Sequence, residues 1–173
     1  YKNHKGYLKA YWKYWTKYKK KYYDTSDGAL IKDGLIRITG RVDDVMKVAG
    51  HRLSTAELEN AISEHKLVNE CAVVSVSDKI KGEIPIAFVV LKKQIDTNSK
   101  LEQEIKKHVD HKIGPIARPS KVYFVNDLPK TRSGKIMRRV LRDLINKEEI
   151  KDPLTLVNPE IIDKIRKSLN NYL

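Results

Sequence analysis

Cys71-Ala72-Val73-Val74-Ser75-Val76 and, after a polar loop over residues 77–83, Ile84-Pro85-Ile86-Ala87-Phe88-Val89-Val90-Leu91 are two apolar runs of strand length. Neither alternates apolar with polar residues, so each reads as a strand buried on both faces. Such strands need cover, and the flanking sequence supplies helices. Upstream, a short strand at residues 45–48 and a loop at Ala49-Gly50-His51-Arg52 lead to a capping box, Ser54-x-x-Glu57, which opens a helix with Leu58, Ala61 and Ile62 on one face, running to about His65. Downstream, a second capping box, Ser99-x-x-Glu102, opens a helix with Leu101, Ile105 and Val109 in register, and Gly114-Pro115 ends it. A strand at residues 121–125 follows, then a helix through Val140, Leu141, Leu144 and Ile145. A last helix starts at Asn158-Pro159 and carries Ile161, Ile162, Ile165 and Leu169. The order is that of an α+β domain, a small sheet with helices packed on it.

Further towards the start, Asp24-Thr25-Ser26-Asp27-Gly28, a turn at Lys32-Asp33-Gly34 and the alternating Leu35-Ile36-Arg37-Ile38-Thr39 predict a hairpin. The polar, turn-prone Gly40-Arg41-Val42-Asp43-Asp44 marks a domain boundary. Residues 1–23 predict an amphipathic helix, with Tyr7, Tyr11, Tyr14, Trp15, Tyr18 and Tyr22 on one side and Lys9, Lys13, Lys17, Lys20 and Lys21 on the other. Its aromatic face needs a partner surface, expected to be protein sequence outside this chain.

A chain of 173 residues, 40% hydrophobic, can form one core but not a large two-domain enzyme. The net charge of +13 suggests a nucleic-acid binder until its location is noted. Eight of the 35 Lys and Arg fall in residues 1–23, so 27 stand against 22 Asp and Glu in the rest, which is only mildly basic. The chain lacks an initial Met, a long apolar run and a leader pattern, and is expected to be cytoplasmic and incomplete at its start. The single Cys71, within an apolar run, is expected to be a buried hydrophobe rather than a nucleophile.

Pro129-Lys130-Thr131-Arg132-Ser133-Gly134-Lys135 places three cations and a Gly in seven residues after a strand, a composition that suits a phosphate. Arg41 and Arg52 add planar donors to a second basic, Gly-containing stretch. On composition alone, a solvated basic turn and salt-bridged surface arginines serve equally well.

Asp27-Gly28-Ala29, the stretch from Ile38-Thr39-Gly40-Arg41-Val42-Asp43-Asp44 through Val48-Ala49-Gly50-His51-Arg52 to Glu57, and residues 129–139 closely resemble the acetyl-CoA synthetases and their short-chain relatives. These belong to the acyl-adenylate-forming superfamily. The resemblance implies the small mobile carboxy-terminal domain of such enzymes at residues 43–146, with a hinge at Asp43. It also implies a remnant of the large amino-terminal domain at residues 1–42 and a helical tail at 147–173. A carboxylate would attack the α-phosphorus of MgATP, and CoA would then displace AMP.

By the same resemblance, Lys135 would be the catalytic lysine of adenylation. Asp27, Arg41 and Arg52 would hold ATP and AMP, and Ala49 and Gly50 would line the CoA tunnel, Gly50 because a side chain would obstruct close approach. The backbone carbonyls of Ser63, His65 and Val68 would hold a structural metal cation. Asp110 stands where relatives place an Arg near the CoA phosphates and would repel them. An acetyltransferase and deacetylase acting on Lys135, and the missing large domain, are the implied partners. The chain alone is expected to be inactive. The competing readings are a basic module binding nucleic acid or membrane, which the helical face pattern disfavours, and one chain of a split synthetase.

Overall fold

The computed structural model describes residues 2–12, 19, 22–92, 95, 97–150 and 155–170. It divides into two units, Tyr1–Val45 and Met46–Leu173. In the first, α1 (His4–Tyr11) is capped by Asn3, whose Oδ1 accepts from the Gly6 amide at 2.8 Å. Tyr11 stacks on Tyr23 with ring centroids 5.0 Å apart, and Tyr7 leans on Tyr11 at 5.6 Å. Tyr14, Trp15, Tyr18, Lys13, Lys17, Lys20 and Lys21 of the expected two-faced helix lie outside the described residues.

Strands β1 (Asp27–Lys32) and β2 (Leu35–Arg41) form the expected antiparallel hairpin. Asp33 and Gly34 turn it with φ of 51° and 76°, the paired positive φ of a two-residue type I′ turn, for which Asp-Gly is suited. Leu30, Ile31, Leu35, Ile36 and Ile38 are all exposed, as expected of a two-stranded sheet, which is too small to bury an apolar face by itself.

A 3₁₀ turn, Val42–Asp44, leads to β3 (Val45–Val48). The stretch read as a loop after it is only a two-residue turn, since His51 and Arg52 already belong to β4 (His51–Ser54). The chain continues through α2 (Thr55–Ser63), β5 (Val68–Asp78), β6 (Gly82–Leu91), α3 (Ser99–Lys112), β7 (Lys121–Phe124), α4 (Arg138–Asn146) and α5 (Ile161–Asn170). The five-stranded sheet has the order β4-β3-β6-β5, with β7 parallel to β6.

The two apolar runs pair with each other in register from Glu70↔Val90 to Asp78↔Gly82. Because successive strand residues face opposite ways, the runs feed two cores. Val73, Ala87 and Val89 pack with Leu58 and Ile62 of α2 and Ile105 and Val109 of α3. Val74, Ile86 and Phe88 pack with Val140 and Leu141 of α4 and Ile165 of α5.

Both expected capping boxes differ in detail. Ser54 occupies the N-cap of α2 without a side-chain cap hydrogen bond. For α3 the cap is Asn98, whose Oδ1 accepts from the Leu101 amide at 3.0 Å. Glu102 does not reach back to the cap: it is buried, pairs with Lys106 at 2.9 Å and accepts from the Val122 amide at 3.3 Å. A carboxylate that can meet a cation and a strand amide is held more tightly there than at an exposed helix start.

Candidate functional site

Residues 129–137 form a small hairpin. Lys130 pairs with Ile136 in an antiparallel bridge, and the Thr131 amide donates to the Lys135 carbonyl at 2.9 Å. The turn closes where the Gly134 amide donates to the Thr131 carbonyl at 2.8 Å. Gly134 has φ of +80°, a conformation that disfavours any residue with a Cβ. The Thr131 hydroxyl accepts from the Lys135 amide at 3.1 Å, tying the start of the turn to its end.

The three cations of this hairpin have different fates. The Lys130 ammonium is 2.8 Å from Glu70 Oε2 and 3.1 Å from Asp127 Oδ1. Its hydrogen bond to Glu70, together with Asp127, outweighs burial and raises its pKa above the ordinary lysine value. Arg132 and Lys135 are exposed, and neither side chain has an ion pair or hydrogen bond among the described residues. Lys130 is therefore a brace, whereas the Arg132 and Lys135 side chains carry charges with no partner among the described residues.

Two supports were not legible in the sequence. The stretch after α4 returns to the hairpin: Leu156 bridges Thr131, and the Val157 amide donates to the Lys130 carbonyl at 2.9 Å. Asn158 donates through Nδ2 to Asp127 Oδ2 at 2.9 Å and to the Leu128 carbonyl at 3.0 Å, and its Oδ1 accepts from the Lys130 amide at 3.2 Å. On the outgoing side, Arg138 forks onto Glu59 of α2 at 2.8 and 2.6 Å. Local spacing carries no signal for partners this far apart in the chain.

Ala49 and Gly50 lie elsewhere. They form the β3–β4 turn, with φ of 47° and 85°, and the Ala49 amide donates to the carbonyl of Lys81 in the β5–β6 turn at 2.8 Å. Among the described residues, no atom beyond Gly50 and its chain neighbours lies within 4 Å of a Cβ built there, so its backbone conformation, with φ of +85°, is what favours glycine. Arg52 is exposed on β4 beside this turn. The lysine hairpin meets β5 at Glu70, whereas the Ala49 turn meets the hairpin beyond Asp78, at the other end of the strand. At about 3.3 Å per strand residue these ends stand roughly 26 Å apart.

Asp27 and Arg41 are cross-strand partners at the open end of the first unit's hairpin. Arg41 Nη1 donates to the Thr25 carbonyl at 3.4 Å. The Asx turn here is made by Asp24, which accepts from the Ser26 amide at 2.8 Å, not by Asp27. The Asp27 carboxylate is exposed, with no hydrogen bond or ion pair among the described residues. Asp43 lies within the 3₁₀ turn Val42–Asp44, its side chain outside the described set.

Ser63, His65 and Val68 surround the end of α2. The His65 carbonyl already accepts from the Val68 amide at 3.0 Å. The His65 ring is buried, 3.2 Å from Glu104 Oε1 and edge-on to His108. Among the described residues no group of three or more His, Cys, Asp or Glu side chains is placed to hold a metal ion, and no helix is long and apolar enough to cross a membrane. Asp110 is engaged by the Arg118 guanidinium through Nε, at 2.9 Å, and through Nη2. Asp110 is thus salt-bridged within the chain.

Residues 57–135 match the model of the AMP-binding enzyme C-terminal domain. The chain is 46% identical over 155 residues to an acetyl-coenzyme A synthetase of Pyrobaculum aerophilum, a match covering 90% of this chain and 23% of that protein. It is 48% identical over 159 residues to an acetyl-coenzyme A synthetase of Mycobacterium tuberculosis, covering 90% of this chain and 24% of that one. The ATP-bound structure of MatB from Rhodopseudomonas palustris superposes with a TM-score of 0.64 at 30% identity, covering 71% of this chain and 24% of that one. The chain thus spans about a quarter of the length of the curated relatives it matches.

Proposed function

We propose that this chain, whose residues 57–135 match the AMP-binding enzyme C-terminal domain, is the carboxy-terminal portion of an acetyl-CoA-synthetase-like adenylate-forming enzyme and serves both half-reactions of a short-chain acyl-CoA synthetase by presenting opposite ends to one active site. The observation that carries this is the separation of the Lys135 hairpin from the Ala49 turn along β5. Two ends roughly 26 Å apart on one rigid sheet cannot enter the same centre together. A domain that uses both must swing, and the short turn Val42–Asp44, with Asp43 as its hinge, is the segment that absorbs the change.

In the first pose the unpaired Lys135 ammonium offsets the negative charge that builds on the α-phosphate and attacking carboxylate as acetate displaces pyrophosphate from ATP. Asp27 accepts from the ribose hydroxyls, while Arg41 and Arg52 bind nucleotide oxygens in the poses that bring them there. In the second pose Ala49 and Gly50 form a wall against which the pantetheine arm of CoA passes, and the CoA thiol displaces AMP. Mg2+ arrives with ATP. The second lone pair of the His65 carbonyl, with those of Ser63 and Val68, is available to a structural cation. The large domain that relatives carry supplies the acyl pocket, the active assembly is cytoplasmic, and acetylation of Lys135 by an acetyltransferase, reversed by a deacetylase, switches off the first half-reaction.

The test separates the halves in the synthetase assembled from this chain and that large domain. Lys135→Ala is expected to lower ATP–pyrophosphate exchange by about 10²–10³-fold while leaving thioester formation from preformed acetyl adenylate near normal. Gly50→Leu is expected to do the reverse. Equal loss of both half-reactions in either variant would refute the two-ended reading.

A further inference from the structure

We propose that the stretch of residues 155–158, with Asn158 as its main contact, is a positioning element for Lys135, an inference that rests on reading Lys135 as the adenylation lysine. The outgoing strand of the hairpin is held by the incoming one: Ile136 bridges Lys130, and both the amide and the carbonyl of Lys135 are bonded to Thr131. The place of Lys135 is thus inherited from Lys130 and Thr131. Their other edge is held by Leu156, which bridges Thr131, and by the Val157 amide, which donates to the Lys130 carbonyl.

Asn158 finishes the seat. Its carboxamide makes three bonds, to the Asp127 carboxylate, the Leu128 carbonyl and the Lys130 amide. That set needs two donors and an acceptor on one planar group, which among side chains of this length only asparagine offers. Asp127 is shared, binding Lys130 Nζ as well, so Asn158 also holds the carboxylate that neutralises Lys130. Leu156, buried in the core beneath α4 and α5, and Ile161, buried at the start of α5, fix the stretch itself. Lys130 is thereby kept as a brace, and only the Lys135 ammonium is delivered to the substrate.

A misplacement of about 1 Å at a reacting group can cost about a hundredfold in rate. In the full-length synthetase, Asn158→Ala is therefore expected to slow ATP–pyrophosphate exchange by about tenfold or more, in kcat rather than in the KM for ATP. Thioester formation from preformed acetyl adenylate should stay within about twofold of the parent, because Lys135 is withdrawn in that step. The isosteric Asn158→Asp, which removes the donors without opening a void, should show the same selective loss. Unchanged exchange in Asn158→Ala, or a parallel fall of both half-reactions in both variants, overturns the proposal. Lys135→Ala run alongside separates the two levels. Normal exchange in that variant sinks the reading of Lys135 and this inference with it, whereas lost exchange there but not in Asn158→Ala sinks the inference alone.

Discussion

Replacing Glu59 by Ala removes three hydrogen bonds with two different partners, and the structure sets their worth. Glu59 Oε1 accepts from the Val73 amide at 2.8 Å on the outer edge of β5, where no further strand pairs among the described residues. The same carboxylate takes the fork of Arg138, with side chains 12% and 26% exposed. Loss of the first bond leaves a strand amide unsatisfied, at a cost of about 1–2 kcal/mol. Stripping a fully buried cation of its partner costs about 3–5 kcal/mol. Arg138 is open enough to rehydrate, so about 1–2 kcal/mol is the fitting share.

The expected sum is about 3 kcal/mol, or near 12 °C in melting temperature at about 4 °C per kcal/mol for a domain of this size. Glu59→Gln keeps an acceptor for Val73 and should cost about 1–1.5 kcal/mol. With Arg138→Met already present, Glu59→Ala should cost only the Val73 share, since the fork is gone. Urea unfolding of the 173-residue chain, followed by circular dichroism and compared at constant m, reads all three values. Equal losses for Gln and Ala, or an Arg138→Met background that leaves the cost of Glu59→Ala unchanged, would refute the edge-and-fork account.

Burial, with the nearby His65 and Lys112 charges, lowers the His108 pKa against the opposing pull of Glu64 and the Ala61 backbone. The unfolded chain therefore binds more protons between the folded value and about pH 6.5, and stability should fall as pH drops through that window. His108→Gln is expected to flatten the difference in urea midpoint between pH 5 and pH 7.5, and an identical difference in parent and variant would contradict it. Burial pushes the Cys71 thiol up to about 11, and its Sγ donates to the Glu59 carbonyl at 3.3 Å. Iodoacetamide at pH 8 should leave the native chain unlabelled and modify it fully in urea, and native labelling at the unfolded rate would refute the burial.

The strand pair at the centre was legible because burial on both faces leaves an unbroken apolar run, and the lysine turn because its glycine and cations sit within seven residues. The starts of α2 and α3 were legible to within a residue and that of α5 to within three, but the chemistry of the caps was not. Ser99 and Asn98 are equally good capping residues by type. Asn98 caps because its side chain reaches the Leu101 amide, while Glu102 is drawn inward by Lys106 and the Val122 amide of β7. Strand β4 was missed because four residues beginning with exposed His51 and Arg52 show little periodicity; pairing beside β3 makes them a strand.

The sequence by itself thus determined the α+β order, the two buried strands, the Asp33-Gly34 hairpin and the residue types of a phosphate-seeking loop, all properties of neighbours along the chain. Only the tertiary structure decided that Lys130 is engaged by Glu70 and Asp127 while Lys135 has no partner among the described residues, that Arg118 answers Asp110, and that Asn158 returns to seat the hairpin. It also decided that the Ala49 turn and the lysine hairpin sit at opposite ends of one sheet. The Glu70–Lys130 and Asn158–Lys130 pairings join residues far apart in sequence, and even the nearer ones need the chain folded back to meet. They depend on sheet register and helix placement, which the summed burial of the whole core fixes and no local pattern encodes.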